Sequence, residues 1–228
     1  MIQDSKYQYL SNHRLFERLN GEELTRLSNI SSTKKAVRND LILFSDYEVK
    51  KVFMIQHGVV KICREDDKGN EMITEVLTRG DVFGHISGAI KSGLDNVEYA
   101  KVLSSELNLC VFEFNRFNDL MRENPLLSAT YNEVLNEKLT SFQQKYEDLV
   151  FKGVNLRIRD FFKRYAKHHG TLNGCCVEMD MLLTHKDIAD YTASSRQSVT
   201  TIINQLVEKG KIIYRGRKKV IIPNIHNL

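Results

Sequence analysis

Two short polar runs near the carboxyl end of the chain carry residue types that are suited to contacting nucleic acid. Residues 194–198 have the sequence SSRQS, and residues 215–219 have the sequence RGRKK. Arginine forms paired hydrogen bonds with guanine O6 and N7, and glutamine does so with adenine N6 and N7. Serine hydroxyls and basic side chains suit phosphate oxygens. The two runs therefore predict a surface that contacts a nucleic acid duplex.

The elements around these runs form a recognisable pattern. Thr184 is a predicted N-cap with Asp187 at the third helical position, and a helix over 185–191 follows. A three-residue turn over 192–194 leads to a second helix over 195–209, which Gly210 ends. Two helices joined by such a turn are typical of a helix-turn-helix motif. The strands predicted at 211–214 and 219–222 form a hairpin with a basic tip, which indicates a wing.

An apolar stripe orients the second helix. If this stripe packs against the first helix, the other residues in the first turns of the second helix face outward. A recognition helix contacts bases with these first turns. The predicted buried positions are Val199, Ile202, Ile203, Leu206 and Val207. The predicted DNA-binding set is Thr184, His185, Ser195, Arg196, Gln197, Ser198, Thr200, Thr201, Arg215, Arg217, Lys218 and Lys219.

One member of this set has a second interpretation. Residues 194–197 also fit a capping box, in which the Gln197 side chain would bind the helix N-terminus instead of a base. Both roles for Gln197 remain open at this point.

Charge is distributed unevenly along the chain. Residues 153–228 hold 13 Lys and Arg against 6 Asp and Glu, a net of +7, whereas residues 1–152 have a net of −3. A local basic excess favours a polyanionic partner, with nucleic acid first and an anionic membrane surface second. A solvated basic face without a partner would give the same count.

The middle of the chain predicts a small β-structure followed by a long helix. Residues 13–30 suggest short helical pieces, in which Asn20 and Glu23 form a capping box. Short β-rich runs separated by turn signals recur between residues 36 and 114, which favours a sandwich or barrel. Asn124 and Pro125 then suit the N-cap and first position of a long helix.

The long helix carries an apolar stripe at helical spacing. We expect this stripe to pair two copies of the chain, although packing against its own chain would also bury it. The predicted dimer residues are Leu127, Tyr131, Leu135, Leu139, Phe142, Tyr146 and Leu149. A second, basic amphipathic helix is predicted over 156–168, followed by a turn-rich linker over 171–174.

Several classes of protein are excluded by what the sequence lacks. No apolar stretch is long enough for a membrane helix, and the first residues do not form a signal peptide, so a cytoplasmic protein is expected. The four cysteines are too few for a disulfide scaffold. The sequence contains no nucleophile-elbow, phosphate-loop or HExxH motif, so we do not expect an enzyme.

The chain resembles the CRP/FNR family of bacterial transcription regulators over nearly its whole length. Residues 195–199 (SRQSV) are similar to the family's Ser-Arg-Glu-Thr-Val, and residues 56–62 and 79–84 resemble its β-roll signatures. The resemblance implies an α+β fold with a jelly-roll-like β-roll over 1–120, a dimerisation helix over 121–152, and a winged helix-turn-helix over 153–228. The partners it implies are duplex DNA, a second copy of the chain, RNA polymerase and an unidentified small-molecule effector, with no membrane partner.

The resemblance also places a hypothetical effector pocket in the β-roll. Its residues would be Gly80, Phe83, Gly84, His85, Ile86, Ser87, Glu98 and Tyr99. Family members that bind cyclic AMP use a glutamate where this chain has His85, and an arginine about ten residues later, where this chain reads DNVEYA over 95–100. We therefore expect no response to cyclic AMP, although Lys101 lies on the next strand and is a possible substitute for the arginine.

Other sensor chemistries have little support in the sequence. The oxygen-sensing branch of the family needs N-terminal cysteines for an iron–sulfur cluster, and no cysteine precedes Cys63. Haem ligation through His57, Cys63 or His85 is not expected. The open alternatives are a sensing module that acts through protein contacts, a constitutive DNA binder without an effector, and an enzyme of unrecognised chemistry.

Overall fold

The computed structural model describes residues 2–43, 50–84, 97–216 and 218–228. The chain divides into two compact units, one of residues 1–70 with 75–141 and one of residues 71–74 with 142–228. This division falls within a single long helix. The domain bounds at residues 120 and 152 stay a prediction.

The first unit begins with helices and continues as β-structure. Its helices are α1 (Ile2–Ser11), α2 (Gly21–Ile30) and α3 (Phe114–Glu123), and α4 (Pro125–Phe151) starts in it. The capping box predicted at the start of α2 is confirmed, since Asn20 and Glu23 exchange both hydrogen bonds. The start of α4 is also as predicted, because the Asn124 side chain accepts from the Leu127 amide at 2.9 Å.

Two four-stranded antiparallel sheets form the β-roll. The first has the order β1-β8-β3-β6 and the second the order β2-β7-β4-β5. The strands of the first sheet are β1 (Ser31–Val37), β8 (Glu106–Glu113), β3 (Lys51–His57) and β6 (Val82–Gly84). Those of the second are β2 (Leu41–Leu43), β7 (Val97–Val102), β4 (Val60–Glu65) and β5 (Glu71–Leu77).

Buried side chains of both sheets fill the space between them. The rings of Phe53 and Phe83 stack with their centroids 5.0 Å apart. A second core lies between the first sheet and the helices, where Phe117 packs edge-on against Tyr131 at 5.4 Å. Both cores belong to a β-roll with a helical layer, as the α+β prediction requires.

Strand β1 was not predicted, because its sequence is polar. It pairs with β8 from Ser31 opposite Phe112 to Val37 opposite Glu106, and much of one face is exposed. It is an edge strand, and lysines on an edge strand discourage it from pairing with a strand of another molecule. The pairing, rather than an apolar pattern of its own, makes this segment a strand.

The second unit contains the end of α4, three helices and a small sheet. The helices are α5 (Val154–His169), α6 (His185–Thr192) and α7 (Arg196–Glu208), and a short 3-10 helix spans Ile225–Asn227. The sheet has the order β11-β12-β10-β9. Its strands are β9 (Gly170–Asn173), β10 (Cys176–Asp180), β11 (Ile213–Arg215) and β12 (Lys219–Ile222).

The prediction of a linker over 171–174 was wrong, because residues 170–173 form strand β9. Asn173 pairs with Cys176, so residues 174 and 175 make a two-residue turn. Gly174 has a φ of 63°, a conformation that side chains disfavour and that tight hairpins use. Turn-forming residues thus mark the end of the strand here rather than a loop.

Candidate nucleic-acid interface

Helices α6 and α7 form the predicted helix-turn-helix. Thr184 caps α6 and makes a complete capping box with Asp187. In the turn, Ala193 takes a left-handed conformation with a φ of 48°, and the Ser194 amide donates to the Ala189 carbonyl at 2.9 Å. This left-handed residue ends α6 and redirects the chain into α7.

A basic side chain from the preceding helix holds this turn. Arg157 of α5 donates from Nε to the carbonyl of Thr192 at 2.9 Å and from Nη2 to the carbonyl of Ala193 at 3.0 Å. Its Nη1 donates to the carbonyl of Lys152 at 2.8 Å. One of the positive charges counted in this region therefore serves the fold. The sequence gives no sign of this role, because it depends on where α5 packs.

The start of α5 is also tied to the end of α4 by a buried carboxylate. Asp148 accepts from Lys152 at 2.8 Å and from Arg164 at 2.5 Å, and Lys152 also bonds Asp160 at 2.6 Å. Burial raises the pKa of Asp148, but the hydrogen bonds from Lys152 and Arg164 outweigh burial and hold the pKa below its usual value. This network fixes α5 on the last turn of α4.

The buried face of α7 matches the predicted stripe at four of five positions. Val199, Ile202, Ile203 and Leu206 are buried, as predicted. Val207 is 39% exposed, so its predicted burial was wrong. Val207 follows the buried Leu206 directly, and adjacent residues of a helix point in different directions.

The predicted base-reading residues lie on the exposed face of α7. Ser195, Arg196, Gln197 and Thr201 are exposed, and Ser198 and Thr200 are partly exposed. The N-cap of α7 is Ser195, whose side chain accepts from the Ser198 amide at 3.0 Å.

The capping interpretation of Gln197 is not found in the described structure. The cap is Ser195 rather than Ser194, so the third helical position is Ser198 and not Gln197. Within the described ranges, the side-chain amide of Gln197 makes no hydrogen bond. This side chain is exposed in the first turn of the helix.

Thr200 is held by two groups instead of pointing freely outward. Its hydroxyl donates to the carbonyl of Arg196 at 2.9 Å. His185, the first residue of α6, approaches the same hydroxyl through Nδ1 at 2.9 Å. Burial and the charge of Arg196 both lower the pKa of His185 below its usual value. The sequence places these residues in two different helices and does not predict their contact.

The hairpin of β11 and β12 carries the predicted basic wing. Arg215, Lys218 and Lys219 are exposed, and Arg217 lies outside the described residues. Lys219 bonds Glu178 of β10 at 2.9 Å. Hydrogen bonding and charge attraction in this pair lower the pKa of Glu178 and raise the pKa of Lys219. The carboxylate of Glu178 therefore partly balances the charge of Lys219 on the wing.

The predicted effector residues of the first unit are only partly brought together. Phe83 is buried in the core of the β-roll, and Glu98 of β7 bonds Arg64 of β4 at 3.0 Å. Tyr99 pairs with Cys63 on the strand face opposite to Glu98, because neighbouring residues of a strand alternate. Glu98 and Tyr99 therefore lie on opposite faces of β7, and the predicted pocket stays a prediction.

The remaining effector positions lie at turns or beyond the described ranges. Gly80 bonds backbone to backbone with Ile55 and accepts from the His13 ring at 3.0 Å. Gly84 has a φ of 97°, and a Cβ there would lie 2.6 Å from the Lys51 carbonyl oxygen. Three members of the set, His85, Ile86 and Ser87, fall outside the described residues.

The predicted dimer stripe divides into two halves. Leu127 and Tyr131 are buried within the core of the first unit, and Leu135 packs against that core. The exposed members are Leu139 at 56%, Phe142 at 68%, Tyr146 at 65% and Leu149 at 42%. The first half of the stripe is thus covered by its own chain, and the second half is uncovered.

The described ranges hold no candidate metal site and no candidate membrane span. No group of three or more His, Cys, Asp or Glu side chains there is arranged to hold a metal ion. No helix in those ranges is both long enough and apolar enough to cross a membrane.

Comparisons with family models match both parts of the chain. A cyclic nucleotide-binding domain matches residues 33–124, and a Crp-like helix-turn-helix domain matches residues 156–228. The order of the two domains is the one that the resemblance in the sequence implies.

Comparisons with known proteins cover most of the chain. Electron transport regulator A of Shewanella oneidensis is 25% identical over 92% of this chain and 82% of its own length. The fumarate and nitrate reduction regulatory protein of Salmonella typhimurium is 24% identical over 90% of this chain and 81% of its own length.

Solved structures share the fold. A CooA mutant from Carboxydothermus hydrogenoformans aligns with a TM-score of 0.74 and 19% identity, over 96% of this chain and 95% of its own. FixK2 from Bradyrhizobium japonicum aligns with a TM-score of 0.73 and 17% identity, over 87% of this chain and 97% of its own. The two domain matches, in this order on one chain, together with regulators as relatives, place the protein in the CRP/FNR family of DNA-binding transcription regulators.

Proposed function

We propose that this regulator binds a roughly palindromic DNA site as a homodimer, with α7 of each copy in the major groove. The observation that carries the proposal is the exposed first turn of α7, from which Arg196 and Gln197 extend. A recognition helix uses its N-terminal residues to contact base edges. Arg196 would pair with a guanine and Gln197 with an adenine.

Phosphate contacts would come from both sides of α7. Arg215 and Lys218 on the wing are exposed and suit the backbone beside the groove. Ser195 and Ser198 at the start of α7, and Thr184 and His185 at the start of α6, suit phosphates because helix N-termini favour anions. Lys219, which Glu178 already engages, would contribute less than Lys218.

The exposed half of the α4 stripe supports pairing of two copies. Leu139, Phe142, Tyr146 and Leu149 follow one another at steps of three, four and three residues, as a and d positions do in a coiled coil. Four large apolar side chains in a row on one helix face are costly to leave in water. A second copy of α4 would cover them.

The output of this dimer would be transcription, with RNA polymerase as a partner in the cytoplasm. An output through protein contacts alone is not favoured, because such a module has no need for an exposed basic hairpin beside a helix-turn-helix. Control by abundance, without an effector, remains the outcome if no ligand of the β-roll is found.

We expect any effector of the β-roll to differ from cyclic AMP. The position that would hold the ribose has His85, and the stretch expected to supply the phosphate-binding arginine supplies Glu98 instead. Arg64 on the neighbouring strand β4 is already bonded to Glu98 at 3.0 Å. A cyclic phosphate would have to displace that carboxylate.

Selection of binding sites from a library of random duplexes tests the proposed function. The expected product is an inverted repeat whose half-sites are about 10 base pairs apart, one turn of DNA. Variant Arg196→Ala should select a site that has lost its preference at one base pair in each half. A selected pool without an inverted repeat would refute binding as a symmetric dimer.

A further inference from the structure

His185 links the start of α6 to the exposed face of α7. Its Nδ1 lies 2.9 Å from the hydroxyl oxygen of Thr200, one turn into α7. The side chain is partly exposed, and no hydrogen bond of its Nε2 is found within the described ranges. One nitrogen of the ring is therefore engaged inside the protein, and the other is available to a ligand.

The Thr200 hydroxyl determines which ring nitrogen carries the proton. That hydroxyl donates its single hydrogen to the carbonyl of Arg196 at 2.9 Å, as threonine commonly does within a helix. It can only accept from His185, so Nδ1 must carry a hydrogen. A neutral histidine has one N–H, and its Nε2 is then a bare acceptor.

The charged groups around the ring favour its neutral form in the free protein. Burial lowers the pKa of His185, and the charge of Arg196 on α7 lowers it further. On α6 itself, the Asp187 carboxylate accepts from Thr184, and Lys186 is paired with Asp190.

Helix α5 also packs on α6, and its Arg157 lies at the end of α6 that is opposite to His185. Arg157 of α5 binds the carbonyls of Thr192 and Ala193, at the C-terminal end of α6. Arg196 is thus the charged group that acts directly on the ring of His185.

We propose that each His185 takes up one proton from solvent when the dimer binds DNA, and then donates through Nε2 to a backbone phosphate while Nδ1 stays on Thr200. The proposal rests on the proposed function, which places the start of α6 at the DNA backbone. A bare Nε2 and a phosphate oxygen are both acceptors, so they cannot bond without this proton. Thr200 is a positioning residue in this scheme, because it fixes the tautomer of the ring.

The sign of the pH dependence follows from the linkage. The bound phosphate raises the pKa of His185 above its value in the free protein, so DNA affinity is greatest below the free pKa. Affinity falls as pH rises through the bound pKa. A bound pKa one unit above the free pKa makes about a tenfold difference in affinity per half-site.

Calorimetry on the selected duplex in buffers of different ionisation enthalpy counts the protons taken up. We expect net uptake at pH 7 by the full-length wild type, and for a one-unit shift the uptake peaks at about one proton per dimer, midway between the two pKa values. Variant His185→Gln keeps an N–H donor that does not titrate, and it should lose this uptake while still binding the duplex. Equal uptake by both proteins would overturn the proposal.

Two substitutions at Thr200 separate tautomer control from general damage. Thr200→Ser keeps the hydroxyl and should keep the proton uptake. Thr200→Val removes the hydroxyl, so a neutral ring is free to present Nε2–H, and both the proton uptake and the fall of affinity with rising pH should be smaller than in the wild type. Wild-type uptake by Thr200→Val would contradict the positioning role.

Nitrogen NMR of the wild type gives a readout that needs no variant. We expect the His185 ring in the free protein at pH 8 to be the Nδ1–H tautomer, and an Nε2–H tautomer would overturn the proposal. Failure of the wild type to bind any duplex would refute the proposed function itself, whereas tight binding without proton uptake would refute only this inference.

Discussion

The guanidinium of Arg157 lies 2.9 Å from the carbonyl oxygen of Thr192, so a basic side chain next to the candidate interface is engaged by the turn of the helix-turn-helix. Positive charge in the second unit therefore has two uses. Some of it stabilises the arrangement of α5, α6 and α7, and some of it is exposed on α7 and the wing.

Arg157→Ala should weaken the fold without removing a phosphate contact. The carbonyls of Thr192, Ala193 and Lys152 lose charged donors, which costs about 1–3 kcal/mol of unfolding free energy. Urea unfolding measures that loss. The slope of log K for DNA against log salt should stay unchanged, and a slope reduced by about one would instead identify Arg157 as a phosphate contact.

Arg196→Ala and Lys218→Ala should weaken DNA binding in different ways. Arg196→Ala should cost about 1–3 kcal/mol on the selected site and little on random duplex, because it removes a base contact. Lys218→Ala should weaken binding to all duplexes alike and lower the salt slope by about one. Fluorescence anisotropy on both duplexes checks this, and identical behaviour of the two variants would refute the assigned roles.

Phe142→Glu should convert the dimer to monomers. It places a charge in the middle of the exposed stripe, and burying an unpaired charge is strongly unfavourable. Ser141→Glu adds the same charge to the adjacent exposed position, off the stripe, and should leave the dimer intact. Light scattering gives the masses, and a dimer that persists in Phe142→Glu would place the interface elsewhere.

The first unit should lose stability between neutral and mildly acidic pH because of His13. Burial lowers the pKa of His13 to about 4, where the ring bonds the Gly80 carbonyl. A lowered folded pKa means that the unfolded chain binds more protons below about pH 6.5, so this stability is present above that pH and is lost as pH falls toward 4. The loss at pH 5 is about 2 kcal/mol.

Urea unfolding at pH 7.5 and pH 5 measures the effect of His13. His13→Gln keeps a donor for the Gly80 carbonyl and should remove most of the pH dependence. The exposed His226 provides the matched control, since His226→Gln should behave like the wild type. Equal pH dependence in the wild type and His13→Gln would show that another group is responsible.

Calorimetry with cyclic AMP at millimolar concentration should show no binding. The ribose and phosphate would each lack a recognition group, and losses of a few kcal/mol each move a micromolar site beyond millimolar. A dissociation constant below about 50 μM would contradict the expectation. It would also implicate Lys101 or Arg64 in binding the phosphate.

Local signals allowed the helix boundaries of the site to be predicted. The Thr184 and Asp187 capping box and the Asn124 cap are set by side chains within four residues of the backbone they bind. Such contacts form wherever the chain starts a helix, so a sequence pattern is enough to locate them.

Features that depend on packing partners were not predictable. β1 and β9 are strands because β8 and β10 pair with them, and neither has an apolar pattern of its own. The division of the α4 stripe depends on where the first unit ends along the helix. The contact between His185 and Thr200 requires α6 and α7 to be docked, which no spacing within either helix indicates.

Salt titration of DNA affinity tests the central claim, that α7 and the wing bind a specific duplex, most directly. Fluorescence anisotropy measures the affinity for the selected duplex and for a scrambled duplex of the same length at salt concentrations from about 50 to about 200 mM. We predict that affinity for both falls steeply with salt, and that the selected site is bound more tightly by a factor of about 10³ or more. Equal affinity for the two duplexes, or an affinity that does not change with salt, would contradict the claim.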